Sequence, residues 1–471
     1  MEASKLKASI IIVNYNGKHF LKECLSSVFE IDFPKNQYEV ILVDNDSRDN
    51  SVEYVSVNFP AVKIIQSNVN LGFAGGCNLG VKNALGKFVV LLNTDTKVEK
   101  AWLKELVKSI KSDKNIAAVN SKLLLYYPSF KLLIHSDIFM RSEFSDSVNF
   151  QSVGVLVESV MLEDQKLQSL IRYGKGFYEK EKGIIPARWT EGDSVIFIPV
   201  DPNKEEVKMT ITIRSEKSVS GLETNIAIKL GEKDLVIDKL KSYQVNQYKI
   251  SLRIDQVKKH LLYAVQNSGV VVFKSGYGRD RGAVVQATDQ FYETDNAFYN
   301  QRAEIHAFTG ASVIIRKEVF ENLGGFDRSY FMYYEDVDLS LRMKRQGWNI
   351  IYEPKSVVYH IHSGSSKEWS SFFNYHVEKN YLATLIKHFP LNTIAWGFYR
   401  YCGMWLKSIL KMIKWRMSEH WELYDYWREK VEIRTEILKW IFQRFVQFII
   451  KRYKINIVQK KSMMEVYKDL Y

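Results

Sequence analysis

Between residues 8 and 127, short apolar runs alternate with stretches of helical spacing. SIIIVNYN (Ser9 to Asn16) carries a strand-length apolar run that ends in polar residues. Leu21, Leu25 and Val28 then share one helical face within Phe20 to Phe29. EVILVDNDS (Glu39 to Ser47) predicts a second strand, Val52 to Asn58 a short helix and VKIIQS (Val62 to Ser67) a third strand. NLGFAGGCNLGVKNAL (Asn70 to Leu85) opens as a glycine-rich loop and becomes helical. FVVLLNTDT (Phe88 to Thr96) is again a strand, and Trp102 to Lys111 again a helix. Strands alternating with helices imply a parallel sheet covered on both faces.

The pattern changes near residue 128. VIFIPVD, VKMTITIR, NIAIKL, DLVIDKL and YKISLRI, between about Pro186 and Gln266, alternate apolar and polar residues between turn formers. This predicts a small antiparallel sandwich inserted into the α/β unit. Aromatic residues are sparse in its strands, which favours packing or assembly over sugar binding. Two segments, QSVGVLV from Gln151 and QNSGVVVF from Gln266, echo each other, by duplication or by chance in glycine- and tyrosine-rich sequence. The α/β character returns with TGASVIIRKEVFENLGGFD (Thr309 to Asp327) and continues to VVYHIHSGSS (Val357 to Ser366). Beyond residue 368 the chain reads as helical. The expected division is 1–150 (nucleotide-sugar half), 151–266 (β-rich insert), 267–366 (acceptor-side half) and 367–471 (basic amphipathic helices).

Composition narrows this picture. At 471 residues, with 46% hydrophobic and 25% charged residues, the chain suits a folded protein of several units. Cys24, Cys77 and Cys402 match no metal or disulfide spacing, so a reducing compartment is expected. Neither a secretory leader nor an apolar run of about 18 residues is evident. The net charge of +12 is concentrated late: residues 390–471 hold sixteen Lys or Arg against eight Asp or Glu. FYRYCGMWLKSILKMIKWRM (Phe398 to Met417) and ILKWIFQRFVQFIIKRYK (Ile437 to Lys454) mix aromatic, aliphatic and basic residues at helical spacing. Such helices lie in a membrane interface. A helical bundle against the core, or a seam between copies in a homo-oligomer, is the alternative. No recognition motif for nucleic acid accompanies the charge.

Candidate chemistry gathers at strand ends, where open α/β sheets bind ligands. Asp44, near Asn14, Tyr15 and Asn16, can accept from a uracil or thymine N3–H, or cap the next helix. The loop with Asn70, Gly72 and Asn78 offers close backbone approach and helix N-terminal amides suited to phosphate, or is simply a turn. Asn93 and Asp95 can face one diphosphate-bound Mg²⁺ or Mn²⁺, or form a turn. FMYYEDVDLSLR (Phe331 to Arg342) presents Glu335, Asp336 and Asp338 at a helix start. One can serve as a general base, with Asp336 preferred. Asp338 can pair with Arg342 at i, i+4. His360 and His362 lie on one side of a strand-like run and can add a metal ligand.

In their order along the chain, SIIIVNYN, VILVDNDS, NLGFAGGCNLG, LLNTDT, TGASVIIRKEVFENLGGFD and FMYYEDVDLSLRMKRQGW resemble the family 2 glycosyltransferases. The likeness is above all to the rhamnosyltransferase-like branch that builds bacterial and archaeal surface polysaccharides, and it covers about residues 8–127 and 266–390. It implies an α/β fold of GT-A type, carrying here an inserted small antiparallel β-sandwich and a C-terminal helical region. It also implies an inverting, metal-dependent transfer from a nucleoside-diphosphate sugar, here a UDP- or dTDP-sugar. Together with the basic C-terminal helices, it makes a growing, lipid-linked glycan at the inner face of the cell membrane the expected acceptor. By position, Asp44 would hold the nucleotide base and Asp95 the metal, with His360 or His362 completing its site. Asp336, in the pair with Glu335, would be the general base. Asn93 stands where many relatives have the first Asp of an Asp-x-Asp pair, a departure common in this branch. The insert lies outside the resemblance. A decayed transferase fold that only binds carbohydrate or scaffolds is the competing reading, and a nucleotidyltransferase a third.

Overall fold

The computed structural model describes residues 6–140, 152–178, 187–215, 223–286, 289–361 and 370–471. The chain forms two compact units. The first comprises residues up to Tyr126, Val265–Ala283 and Asn296–Tyr471. Its elements are β1 (Ala8–Asn14), α1 (Lys18–Phe29), β2 (Tyr38–Asn45), α2 (Ser51–Asn58), β3 (Lys63–Ser67), α3 (Gly72–Lys82), β4 (Phe88–Asn93), β5 (Thr96–Val98), α4 (Trp102–Lys111) and β6 (Ile116–Leu125). After the insert come β7 (Val265–Asn267), β8 (Val270–Val272), β9 (Gly278–Asp280), β10 (Ala303–Glu304), β11 (Ser312–Arg316), α5 (Lys317–Asn322), α6 (Glu335–Arg345) and β12 (Asn349–His360). Four helices close the chain: α7 (Ser371–His388), α8 (Leu391–Met417), α9 (Trp421–Val458) and α10 (Met463–Lys468).

One ten-stranded sheet organises this unit, in the order β10-β12-β6-β11-β4-β1-β2-β3, with β7 on β6 and β5 on β12. Strands β1, β2, β3 and β4 run parallel. Strand β11 is antiparallel to both β4 and β6, and β12 is parallel to β6. The continuous apolar strands follow from burial on both faces. Ile10, Ile12, Leu42, Val90 and Leu92 enter one core with Leu21, Leu25, Trp102 and Leu106 of α1 and α4. Ile11, Ile41, Val43, Val89 and Leu91 enter another with Ala74, Leu339 and Met343 of α3 and α6. Trp102 is fully buried, and its indole N–H reaches the Ser312 and Ser121 hydroxyls at 3.0 and 3.2 Å. In register, Asn14 pairs with Asp44 and Val13 with Asn93, so the polar residues ending these strands line one sheet edge.

The second unit comprises Tyr127–Ala264 and Val284–Asp295. It is an antiparallel sandwich. One sheet joins Arg188–Trp189, Leu156–Leu162, Glu206–Arg214 and Val245–Arg253; the other joins Arg172–Tyr173, Asp193–Pro199, Ser129–Ser136, Thr224–Leu230 and Lys233–Leu240. Its core holds Phe130, Ile134, Val157, Ile196, Ile211, Ile228 and Leu252 from both sheets. The strand Ser129–Ser136 belongs to this unit, so the β-rich segment begins ahead of residue 151. The fold class expected from the sequence is therefore present: an α/β unit of GT-A type, an inserted antiparallel β-sandwich and a C-terminal helical region.

The C-terminal helices pack within the first unit. Leu382, Leu385, Ile386, Tyr401, Ile437, Ile441 and Phe448 share one core with Tyr330, Tyr334, Val337 and Leu341 around the start of α6. Arg434 on α9 donates to Glu378 and to Ser408, and Arg452 to the carbonyls of Ile386 and Phe389, tying α7, α8 and α9 together. Outward-facing positions remain strongly apolar. Phe442, Phe445, Val446, Ile449, Ile450, Tyr453 and Ile457 form an exposed stripe on α9; Trp396, Tyr399, Leu406, Leu410, Ile413 and Met417 form another on α8. Among the described residues no helix is long and apolar enough to cross a membrane.

Candidate active site

At the C-terminal ends of β1 and β2, short polar contacts knit the loop after β1 to the loop after β2. Asn14, fully buried, donates from Nδ2 to Ser51 Oγ at 2.8 Å, Ser47 Oγ at 3.1 Å and Asp44 Oδ1 at 3.4 Å. Asp44 also accepts from Ser47 N at 3.2 Å. Helix α2 takes Asn50, not Asp44, as its N-cap, so capping does not explain the carboxylate. Asn16, at φ 51°, accepts from Arg48 N at 2.7 Å. Tyr15 is exposed beside them.

The glycine-rich segment is used for close packing. Asn45 Nδ2 donates to Asn70 Oδ1 at 2.9 Å, and Leu71 N returns to Asn45 Oδ1 at 2.9 Å, which pins the entry to α3. Gly72 has φ +69°, and a Cβ there would lie 2.4 Å from the Phe331 carbonyl oxygen. That carbonyl accepts from Ala74 N at 3.0 Å, so an amide at the start of α3 serves the chain before α6. Asn78, expected at the donor, clamps backbone instead. Its Nδ2 donates to Phe326 O at 2.8 Å and its Oδ1 accepts from Phe326 N at 2.9 Å.

Beyond β4, Asp95 is buried, and its Oδ1 lies 3.1 Å from His360 Nε2. The other imidazole nitrogen meets Gln266 Oε1 at 2.7 Å, and Ile361 N donates to Asp95 O at 2.9 Å. His362 lies outside the described residues. Among the described residues no group of three or more His, Cys, Asp or Glu is gathered to hold a metal ion. The pair still suits one as two donors. Adjacent ligands of an octahedral ion at 2.0–2.2 Å stand about 3 Å apart, and oxygen with imidazole nitrogen suits Mn²⁺.

A second group of residues gathers at the same sheet edge. Asn93 N donates to Ala311 O at 3.0 Å, and the neighbouring Gly310 N donates to Asp336 Oδ2 at 3.1 Å. Val337 N adds a bond to Asp336 Oδ1 at 2.8 Å. Burial raises the Asp336 carboxyl to about 6 against these two donors, and the Asp280 carboxylate also raises it. Glu335 is buried, with one oxygen lacking a partner among the described residues; burial first, then the Asp336 charge, push it well above the usual carboxylate range. Asp338 is different. It has no exposed surface and binds Arg342 Nη2 at 2.7 Å, His388 Nε2 at 2.8 Å and Lys387 Nζ. Burial acts to raise its carboxyl, but Arg342 and Lys387 outweigh it and hold it well below the ordinary value. The i, i+4 pair is thus realised within a structural charge cluster.

Three site-adjacent residues had no signal of a role at the site in the sequence. Gln266 faces His360, and Asn267 beside it on β7 donates to Asp280 Oδ1 at 2.8 Å. Asn380, on α7, contacts the turn that precedes Asp336.

The sequence is similar to known glycosyltransferases. Residues 9–125 match the model "Glycosyl transferase family 2", and residues 257–376 match "Glycosyltransferase like family 2". The chain is 34% identical over 103 residues to the poly(ribitol-phosphate) beta-N-acetylglucosaminyltransferase TarS of Staphylococcus aureus, covering 21% of this chain and 18% of that protein. It is 33% identical over 81 residues to the N-acetylglucosaminyl-diphospho-decaprenol L-rhamnosyltransferase of Mycobacterium tuberculosis, covering 17% and 26%. The crystal structure of GalNAc-T7 with UDP, GalNAc and Mn²⁺ aligns at TM-score 0.43 and 14% identity, over 81% of this chain and 48% of that one.

Proposed function

The chain belongs to glycosyltransferase family 2, and from that premise we propose that it moves a sugar from a UDP- or dTDP-sugar to a growing, lipid-linked cell-surface glycan with inversion. What supports this most is one arrangement: Asp44, the Asp95–His360 pair and Asp336 all lie along one sheet edge, joined through Asn93, Ala311 and Gly310. The relatives named above are an N-acetylglucosaminyltransferase and an L-rhamnosyltransferase. Rhamnose is one candidate sugar on that ground.

In this reading Asp44 accepts the base N3–H, with Asn14 and Ser47 holding its carboxylate in place. Asp95 and His360 would hold Mg²⁺ or Mn²⁺, which when bound neutralises charge on the leaving diphosphate. Asp336 takes the proton from the acceptor hydroxyl. That oxygen forms its bond to the anomeric carbon as the bond to the diphosphate oxygen breaks on the opposite face. The two amides from Gly310 and Val337 fix the carboxylate, and its raised affinity for protons strengthens it as a base near neutral pH. The exposed apolar stripes of α8 and α9, with Arg400, Lys407, Lys411, Lys414 and Arg444 interleaved, support peripheral seating on an anionic membrane that presents the acceptor.

The test is donor binding and turnover across UDP-, dTDP- and GDP-sugars with Mn²⁺, Mg²⁺ or EDTA. Metal-dependent binding of one UDP- or dTDP-sugar, lost in Asp95→Ala, is expected. Folded protein that binds none of them refutes the donor site. Co-sedimentation with vesicles containing anionic lipid, weaker with neutral ones, tests the membrane reading, and protein left in the supernatant of both refutes it.

A further inference from the structure

Just ahead of α6 the backbone takes a costly course. Phe331, Tyr333 and Tyr334 each have φ 67°. None is glycine, and a positive φ strains any residue that carries a Cβ. Surrounding structure must therefore hold the turn. One side chain meets most of it. Asn380, with no exposed surface, donates from Nδ2 to the carbonyls of Tyr330 at 2.9 Å, Met332 at 2.8 Å and Tyr333 at 2.7 Å. The carbonyl between them, on Phe331, serves Ala74 N instead. Flipping the Asn380 amide would aim its oxygen at three carbonyl oxygens, so the acceptors themselves dictate this orientation. Neighbours on the same face of α7 add to the grip. Phe373 packs on Tyr333 at 5.1 Å between ring centroids, His376 stacks on Phe331 at 5.2 Å, and Thr384 Oγ1 meets the Tyr330 hydroxyl at 2.9 Å.

We propose that Asn380 is a positioning residue of the transferase. By holding the left-handed 331–334 turn, it sets the first turn of α6 and hence the Asp336 carboxylate. Asn380 lies beyond residue 376, where the second family match ends, so α7 becomes part of the site's framework. The inference rests on Asp336 being the base. Without Asn380, three carbonyls lose their shared donor, and the turn loses the contact that offsets its strain.

The test compares the full chain with Asn380→Asp, which keeps the shape and removes the amide donor. Turnover is read as nucleoside-diphosphate release from the donor selected in the panel above, and nucleotide binding by titration with UDP or dTDP to match it. The expected result is a fall in kcat of at least about a hundredfold, with donor KM and nucleotide affinity within about threefold. Adding Tyr333→Gly to Asn380→Asp should restore kcat about fivefold or more, because glycine enters the left-handed region unaided. A merely structural defect would lower stability and would not be rescued by removing a second side chain. Should Asn380→Asp not fold, Asn380→Ser replaces it with the same expectations. Unchanged kcat, or no rescue by Tyr333→Gly, overturns the proposal. Asp336→Asn is run alongside: turnover surviving there defeats the base reading itself, whereas a dead Asp336→Asn with a fully active Asn380→Asp defeats only this inference.

Discussion

If Asp336 takes the acceptor proton, turnover must fail as Asp336 becomes protonated, and its surroundings place that failure near pH 6. Burial is the largest influence, lifting the carboxyl from 3.8 to about 6; the Gly310 and Val337 amides oppose it and Asp280 assists it. At that value about 90% of Asp336 is ionised at pH 7 and about 9% at pH 5, so kcat/KM should fall roughly tenfold between them. A carboxylate at its ordinary value would stay more than about 90% ionised at pH 5 and show no such fall. Asp280→Asn removes the neighbouring charge and keeps a partner for Asn267, so it should move the acid limb down by on the order of half to one pH unit. The assay is nucleoside-diphosphate release at subsaturating substrate, from about pH 4.5 to about 8.5, at constant ionic strength. An acid limb below about pH 5 in the parent chain, or one that Asp280→Asn leaves in place, refutes the reasoning.

Other consequences follow from the same contacts. Asp338→Asn strips the carboxylate from buried Arg342 and Lys387 and should lower stability by about 3–5 kcal/mol in urea titration; an unchanged midpoint would show the cluster to be dispensable. Burial first of all lowers His376 and His388 from 6.5 to about 4. Each is neutral in the fold and binds protons more readily when unfolded, so stability is complete above pH 6.5 and declines as pH falls toward 4. The decline is at most about 3 kcal/mol per histidine, measured by melting across that range. Gly72→Ala places a Cβ against the Phe331 carbonyl at a left-handed position. It should cost about 1–3 kcal/mol and depress turnover, and a thermal melt and rate like the parent's would contradict the close approach.

The α/β elements were legible because apolar runs buried on both faces leave a period that needs no distant partner. SIIIVNYN and FVVLLNTDT read directly as β1 and β4. Roles set by contacts distant in sequence were not legible. Asn78 has the composition of a phosphate loop, yet its amide is committed to Phe326, almost 250 residues later. Gln266 was visible only as part of an echo, because its meaning lies in His360. The left-handed aromatic turn ran against local propensity and could not be read from residues that disfavour it.

The proposed donor and base sides of the site differ in how they are secured, and that difference has a direction. Asn14, Asn16, Asp44, Ser47 and Ser51 hold one another within two adjoining loops. The proposed uracil or thymine pocket at Asp44 therefore needs little beyond β1, β2 and α2. Asp336 depends on segments far apart in the chain: Gly310 at the head of β11, and the turn gripped by α7. Helix α7 is in turn packed under α8 and α9, whose outer faces are the exposed apolar stripes. A contact on those stripes would reach the Asp336 side through the core that α7, α8 and α9 share with the start of α6. Seating α8 and α9 on anionic vesicles should accordingly change kcat for a soluble acceptor while leaving UDP or dTDP affinity unaltered. An equal change in both, or a change in nucleotide affinity alone, would mean that the two sides are not separately held.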